Sequence, residues 1–143
     1  MLRKYVESLF KVASKSDARE ESYYSTLERL LYDYSESQSF KNISVTTLPK
    51  KTEAGNPDFR VWDGKQHITG YIEAKTPHTN LDDVQYSEQL KRYRGTFPNL
   101  ILTNFFEFRL YRNGELVDRV QIARPFMVHK LKIVPPVENE DDL

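Results

Sequence analysis

Apolar positions in the first quarter of the chain recur at helical spacing. Tyr5, Val6, Leu9, Phe10 and Ala13 form one stripe over residues 3–14, which predicts a short amphipathic helix ended by Ser14–Ser16. A second stripe, Tyr23, Leu27, Leu30, Leu31 and Tyr34, predicts another helix starting at Asp17, with Glu20 three residues later as its capping pair. The polar stretch Ser35–Asn42 reads as a loop, and beyond it the period changes from 3.6 to 2. Ile43–Leu48 is rich in β-branched residues and reads as a strand. Within Gly55–Lys75, Phe59 and Val61 alternate with Asp58, Arg60 and Trp62, and Asp63-Gly64 marks a turn. On the strand that follows, Ile68, Gly70, Ile72 and Ala74 take one face and Thr69, Tyr71, Glu73 and Lys75 the other. Asn80 caps a helix expected to run to about Arg94, on which Gln85, Gln89 and Tyr93 share a face. Asn99–Asn104 suits a buried strand, and Phe106–Tyr111 with Leu116–Ile122 form a hairpin about Asn113-Gly114.

These elements predict an α/β domain over residues 1–125, with helices before and after a mixed central sheet. After Arg124-Pro125 the pattern fades. Residues 126–143, with Pro135-Pro136 and an acidic end, read as a linker toward further chain.

The candidate chemistry lies on the Gly55–Lys75 hairpin. If its strands pair antiparallel about the turn, Asp58 near the start of the first lies across from the end of the second. Glu73 and Lys75 project there together. Two carboxylates set among apolar residues repel unless a cation lies between them. Oxygen-only ligands suit a hard ion, and Mg²⁺ uses one or two carboxylates with water and phosphate oxygens. An ammonium beside them can hold a phosphate oxygen, orient a water or stabilise developing negative charge. The alternative is a salt-bridge ladder on a half-exposed hairpin. Pro57 directly before Asp58, the small Ala74 between Glu73 and Lys75, and the apolar run leading into Glu73 favour the metal site.

Pro57-Asp58 followed by Glu73-Ala74-Lys75 resembles the signature of the PD-(D/E)XK nucleases. The wider blocks Gly55-Asn56-Pro57-Asp58-Phe59, Gly70-Tyr71-Ile72-Glu73-Ala74-Lys75, Glu88-Gln89-Leu90-Lys91-Arg92-Tyr93 and Asn99–Asn104 with Glu107-Phe108-Arg109 are similar to the amino-terminal nuclease domain of single-chain restriction–modification enzymes, type ISP and related type II. The likeness covers about residues 17–122. It implies a restriction-endonuclease-like fold and Mg²⁺-dependent hydrolysis of double-stranded DNA, with Mn²⁺ as a substitute ion. Asp58 and Glu73 would hold the metal with the Ala74 carbonyl, and Lys75 would act on the attacking water or the phosphoryl charge. In that family an acid at the place of Glu20 lies beside the metal; from the pattern alone Glu20 is either a cap or such a contributor. Gln89-x-x-x-Tyr93 resembles a helix motif in which the glutamine orients site groups and the tyrosine can touch substrate; ordinary packing is the other reading. Methyltransferase and target-recognition domains using S-adenosylmethionine, and any ATP-driven translocase, would lie in further parts of such a polypeptide.

Lys50 and Lys51 fall near the predicted site, as DNA-backbone contacts or as an ordinary exposed loop. His78 also falls near it, and neither His67 nor His129 has metal-ligand spacing. Arg109 and Arg112 face either DNA or solvent. The chain has no cysteine, so disulfide frameworks and Cys-based zinc sites are excluded. No apolar run approaches the ~20 residues of a membrane helix, nor does Met1–Phe10 read as a signal peptide; the expected compartment is the cytoplasm, with no membrane partner. Lys plus Arg is 21 and Asp plus Glu is 21; without Glu138–Leu143, which carries four acids, the balance is 21 minus 17, or +4. Near-neutrality suits a catalytic module that takes its DNA grip from something attached, because phosphate neutralisation dominates DNA affinity. A repair or junction nuclease of the same superfamily, and a non-catalytic DNA-binding or assembly module, are the alternatives.

Overall fold

The computed structural model describes residues 1–39, 42–65 and 67–143; Phe40 and Lys41, part of the expected Ser35–Asn42 loop, and Gln66, in the expected hairpin, lie outside the described residues. The chain runs α1 (Leu2–Ala13), a 3₁₀ turn (Glu20–Tyr23), α2 (Tyr24–Ser37), β1 (Ser44–Thr47), β2 (Phe59–Trp62), β3 (Ile68–Ala74), α3 (Leu81–Val84), α4 (Glu88–Thr96), β4 (Asn99–Thr103), β5 (Glu107–Arg112), β6 (Glu115–Gln121), α5 (Pro125–His129) and a last 3₁₀ turn (Glu140–Asp142). The strands form one sheet in the order β1-β2-β3-β4-β5-β6. All neighbours are antiparallel except β3 and β4, which run parallel. A parallel pair needs a crossover connection, and α3 with α4 supplies it. The mixed α/β architecture expected from the pattern is the one observed.

Strand alternation divides the core. On one face Phe59, Ile72 and Ala74 pack with Leu2, Tyr5, Val6 and Leu9 of α1 and Tyr24, Leu27 and Leu30 of α2. On the other, Leu100, Leu102 and Tyr111 pack with Leu81 of α3 and Leu90 and Tyr93 of α4. The β5–β6 turn is the tight one that Asn-Gly suits, with both Asn113 and Gly114 at positive φ.

Three expectations are corrected. The second helix does not start at Asp17: Arg19 is still extended, its N–H donates to the Ser22 hydroxyl, and a 3₁₀ turn opens the helix at Glu20. That tighter turn brings Tyr23 and Tyr24 together into the core, and Tyr34 is left 46% exposed. At its other end α2 continues through Ser37, so the first residues of the expected loop are helical. The helix expected from Asn80 to Arg94 is broken at Gln85–Ser87, because Ser87 accepts from the Leu90 N–H and caps a fresh start. The break turns Gln85 away from Gln89, and its side-chain oxygen accepts instead from the Tyr111 hydroxyl at 3.0 Å.

Arg109 faces neither DNA nor solvent. It is 1% exposed beneath α3 and donates to Glu107 and, at 2.8 Å, to Asp82. This pair ties the α3–α4 crossover to β5. Downstream, Arg124 pairs with Glu138, and the Glu138 N–H donates to Ile122 at 2.7 Å, so this stretch lies back against the sheet.

Arg109 is buried, whereas Glu107 is 15% and Asp82 60% exposed. Truncating Arg109 therefore leaves chiefly Glu107 without compensation, and Arg109→Ala is expected to destabilise the domain by about 2 kcal/mol in urea unfolding. A change under about 1 kcal/mol would show that the contact contributes little.

Candidate active site

Sheet register assembles the site. Phe59 pairs with Ile72, so Asp58, one residue before β2, falls across from Glu73 near the end of β3. Both are buried, at 8% and 3% exposure. Being at a sheet end, Asp58 is reached from both layers. Its Oδ2 accepts from the Ala74 N–H at 2.7 Å and its Oδ1 from the Tyr24 hydroxyl at 2.6 Å. Pro57, which has no N–H, precedes it in the connection from β1.

Glu73 is less well supplied. Its Oε2 accepts from Lys75 Nζ at 3.0 Å, while Oε1 is buried with no hydrogen-bond partner among the described residues. Lys75 Nζ also donates to Gln89 Oε1 at 2.9 Å, and Gln89 Nε2 donates to the Tyr93 hydroxyl at 3.4 Å. Gln89 thus meets the lysine from the crossover helix. Tyr93 has no exposed surface, so it supports Gln89 and presents nothing to a substrate, contrary to its expected DNA contact. Its burial follows from the Ala54–Gly55 loop and Phe97, which pack over its ring.

Glu20 is brought to the site through Tyr24. The Tyr24 hydroxyl lies 2.9 Å from Glu20 Oε1 as well as 2.6 Å from Asp58 Oδ1. One hydroxyl hydrogen cannot serve both at once, and the shorter contact assigns it to Asp58. Tyr24 is the participant that the sequence reading missed. The signal was the Glu20-x-x-x-Tyr24 spacing, which sets both residues on one helical face, but Tyr24 falls outside the stripe Tyr23, Leu27, Leu30, Leu31 and Tyr34 that predicts the helix. Lys50 and Lys51 are exposed on a loop and make no contact with the carboxylates. His78 packs against His129 with ring centres 3.9 Å apart and planes tilted by 39°, outside the site's hydrogen bonds.

The electrostatics record an unmet demand for positive charge. Burial, then the Asp58 charge, push the Glu73 carboxyl up to about 8, against the opposing pull of Lys75. Burial also raises Glu20, with Asp58 adding to the rise and the Tyr24 hydroxyl and Lys75 opposing it. Among the described residues no three His, Cys, Asp or Glu side chains are grouped so as to cage an ion alone. The donors are instead a facing carboxylate pair with one oxygen unpartnered. That set fits a hard ion which keeps places for water and phosphate oxygens, as Mg²⁺ does.

No family model matches the chain, and no curated protein matches it. Among solved structures it is similar to a chain of the DrdV–DNA complex determined by cryo-electron microscopy, with a TM-score of 0.64 and 27% identity. The match covers 92% of this chain but 13% of that one, so this chain spans a small part of the neighbour's length.

The Glu73 shift sets a pH dependence in metal-free solution. Its folded-state value lies near 8 against an ordinary 4.5. The stability it contributes is thus fully present below about 4.5 and is lost as pH rises through 8. Glu73→Gln removes that loss. In EDTA, the urea midpoint of the parent is expected to fall more steeply between pH 5 and 8.5 than that of the variant. Parallel curves would contradict a proton held on Glu73.

Proposed function

We propose that this domain hydrolyses DNA phosphodiester bonds as the metal-dependent cleavage module of a restriction–modification enzyme. The observation that carries the reading is the convergence of Asp58, Glu73 and Lys75 at one sheet end, with a buried carboxylate oxygen left without a partner. The similarity to a chain of a DNA complex, over nearly the whole domain, supports DNA as the substrate.

Asp58 and Glu73 would hold Mg²⁺ or Mn²⁺, with the Ala74 carbonyl as a further oxygen and Glu20 beside them. When bound, the ion supplies Lewis-acid activation of the phosphoryl oxygen and lowers the pKa of its water. The chain's own residues do the rest. Asp58 is fixed by Tyr24 and by the Ala74 amide, so its oxygens keep their direction. An ammonium has three donors. Lys75 commits two of them, to Glu73 and Gln89, and the third is available to a phosphoryl oxygen or the attacking water. Held between two acceptors, the ammonium is in place before charge develops, which is the condition for electrostatic stabilisation without reorganisation. Gln89 acts through Lys75 and is a positioning residue.

Recognition of a target sequence needs side chains against base edges. With a net charge of zero, this domain would take its targeting, and most of its DNA affinity at working salt, from other domains of the same cytoplasmic polypeptide. Methylation with S-adenosylmethionine, and any ATP-driven translocation, would belong to those domains.

The test is to fuse the chain to an unrelated DNA-binding domain and map the cuts. Mg²⁺-dependent cleavage is expected near the partner's site, raised by effective concentration. Asp58→Asn, which can keep hydrogen bonds to Ala74 and Tyr24, should abolish it. Lys75→Ala should lower it about a hundredfold, the scale for one transition-state donor. Cleavage by Lys75→Ala within a few-fold of the parent would remove the role given to that lysine, and undiminished cutting by Asp58→Asn would remove the site.

A further inference from the structure

We infer that the groove beside the carboxylates is a binding site for the DNA backbone, and that it seats phosphates flanking the one that is cut. The inference rests on the proposed hydrolysis at Asp58 and Glu73. Period-two alternation puts Arg60 and Tyr71 on the same sheet face as Asp58 and Glu73, and Arg60 pairs with Tyr71 in the β2–β3 register. They stand two residues further along their strands, about 7 Å at the usual rise. A groove of about 510 Å³ begins there, lined by Arg60 and Tyr71 on the sheet, Lys50 and Lys51 on the preceding loop, and Phe97 with Asn99 on the far wall.

Among the described residues its cations have no acid partner. The side chains of Lys50 and Lys51 make no ion pair or hydrogen bond with a described residue. Arg60 lies over the Trp62 ring at 4.5 Å, and its Nε is buried with no partner. Two arginines outside the groove are held by acids, Arg109 by Glu107 and Asp82 and Arg124 by Glu138. Glu53 is the one acid lining the groove, which leaves it net positive on a neutral domain.

The loop that carries the two lysines is also held in shape. Thr52 and Gly55 exchange backbone hydrogen bonds at 2.7 and 3.2 Å, and Arg92 Nε donates to the Ala54 carbonyl at 3.2 Å. Gly55 takes φ +132, and a Cβ there would meet the Tyr93 ring at 3.3 Å. The lysines therefore stand on a loop clamped to α4, the helix that also presents Gln89 to Lys75. A backbone held in this way loses less freedom on binding than that of a free loop. The ligand class is a polyanion with regularly spaced phosphates, and the floor of stacked Tyr71 and Phe97, with ring centres 4.1 Å apart, suits the apolar flank of a sugar–phosphate chain.

The experiment is fluorescence anisotropy of a labelled DNA duplex with the 143-residue chain in EDTA, where binding is read without cleavage, over a series of salt concentrations. Each lost phosphate contact lowers the slope of log K against log salt by about 0.9. Arg60→Ala is expected to lower it by about one, and the Lys50→Ala/Lys51→Ala pair by about two. The exposed Lys50→Glu/Lys51→Glu pair, which leaves the core untouched, should weaken binding at least tenfold. Lys4→Ala/Lys11→Ala on α1 is the charge-matched control and should change little. Equal effects from the control pair, unchanged slopes in the groove variants, or no duplex binding at low salt would each overturn the inference. Groove-dependent binding by a domain whose fusion never cuts would instead count against the hydrolytic reading alone.

Discussion

The repulsion between Asp58 and Glu73 is the constraint on which the rest of the site depends. The β2–β3 register sets the two carboxylates against each other, and burial removes the water that would screen them. Surface residues in this relation would rotate apart. Here Asp58 is tied by two hydrogen bonds and Glu73 by the β3 backbone and Lys75. Burial, and after it the Asp58 charge, outweigh the single ammonium, and a proton is retained on Glu73 until about pH 8. Under the proposed function, that proton is what a bound cation would displace.

The surrounding elements each address that pair. The first helical layer delivers Tyr24 and Glu20 to Asp58. The crossover delivers Gln89 to Lys75, and its own position depends on the buried Arg109 beneath α3 and on Ser87, which restarts the helix. Helix α4 also clamps the Lys50–Gly55 loop through Arg92 and Tyr93, so the arrangement of the site and that of the neighbouring basic groove share one support. This sharing follows from the parallel β3–β4 step, which obliges the chain to cross the sheet face where the carboxylates project.

Much of this was legible in the sequence because strand periodicity is a local property. Asp58, Glu73 and Lys75 could be set together from alternation and one Asp-Gly turn. Gln89 was accessible through its spacing to Tyr93. Contacts fixed by tertiary packing were not legible. Arg109 alternates like a solvent-facing residue, and only the layer above it makes it a buried ion-pair partner. Tyr24 lies off the helical stripe that Tyr23 begins, and only the 3₁₀ turn brings both inward. A polar Ser at position 87 inside a helical pattern gives little notice of a cap, and so the break that separates Gln85 from Gln89 was invisible.

The central claim is that the carboxylate pair takes up a divalent cation and gives up a proton in doing so. Calorimetric titration of Mn²⁺ into the metal-free protein at pH 7, repeated in buffers of different ionisation enthalpy, measures both together. The account predicts saturable binding with net proton release, and loss of that binding in Asp58→Asn. Binding with no proton release, or equal binding by Asp58→Asn, would contradict it.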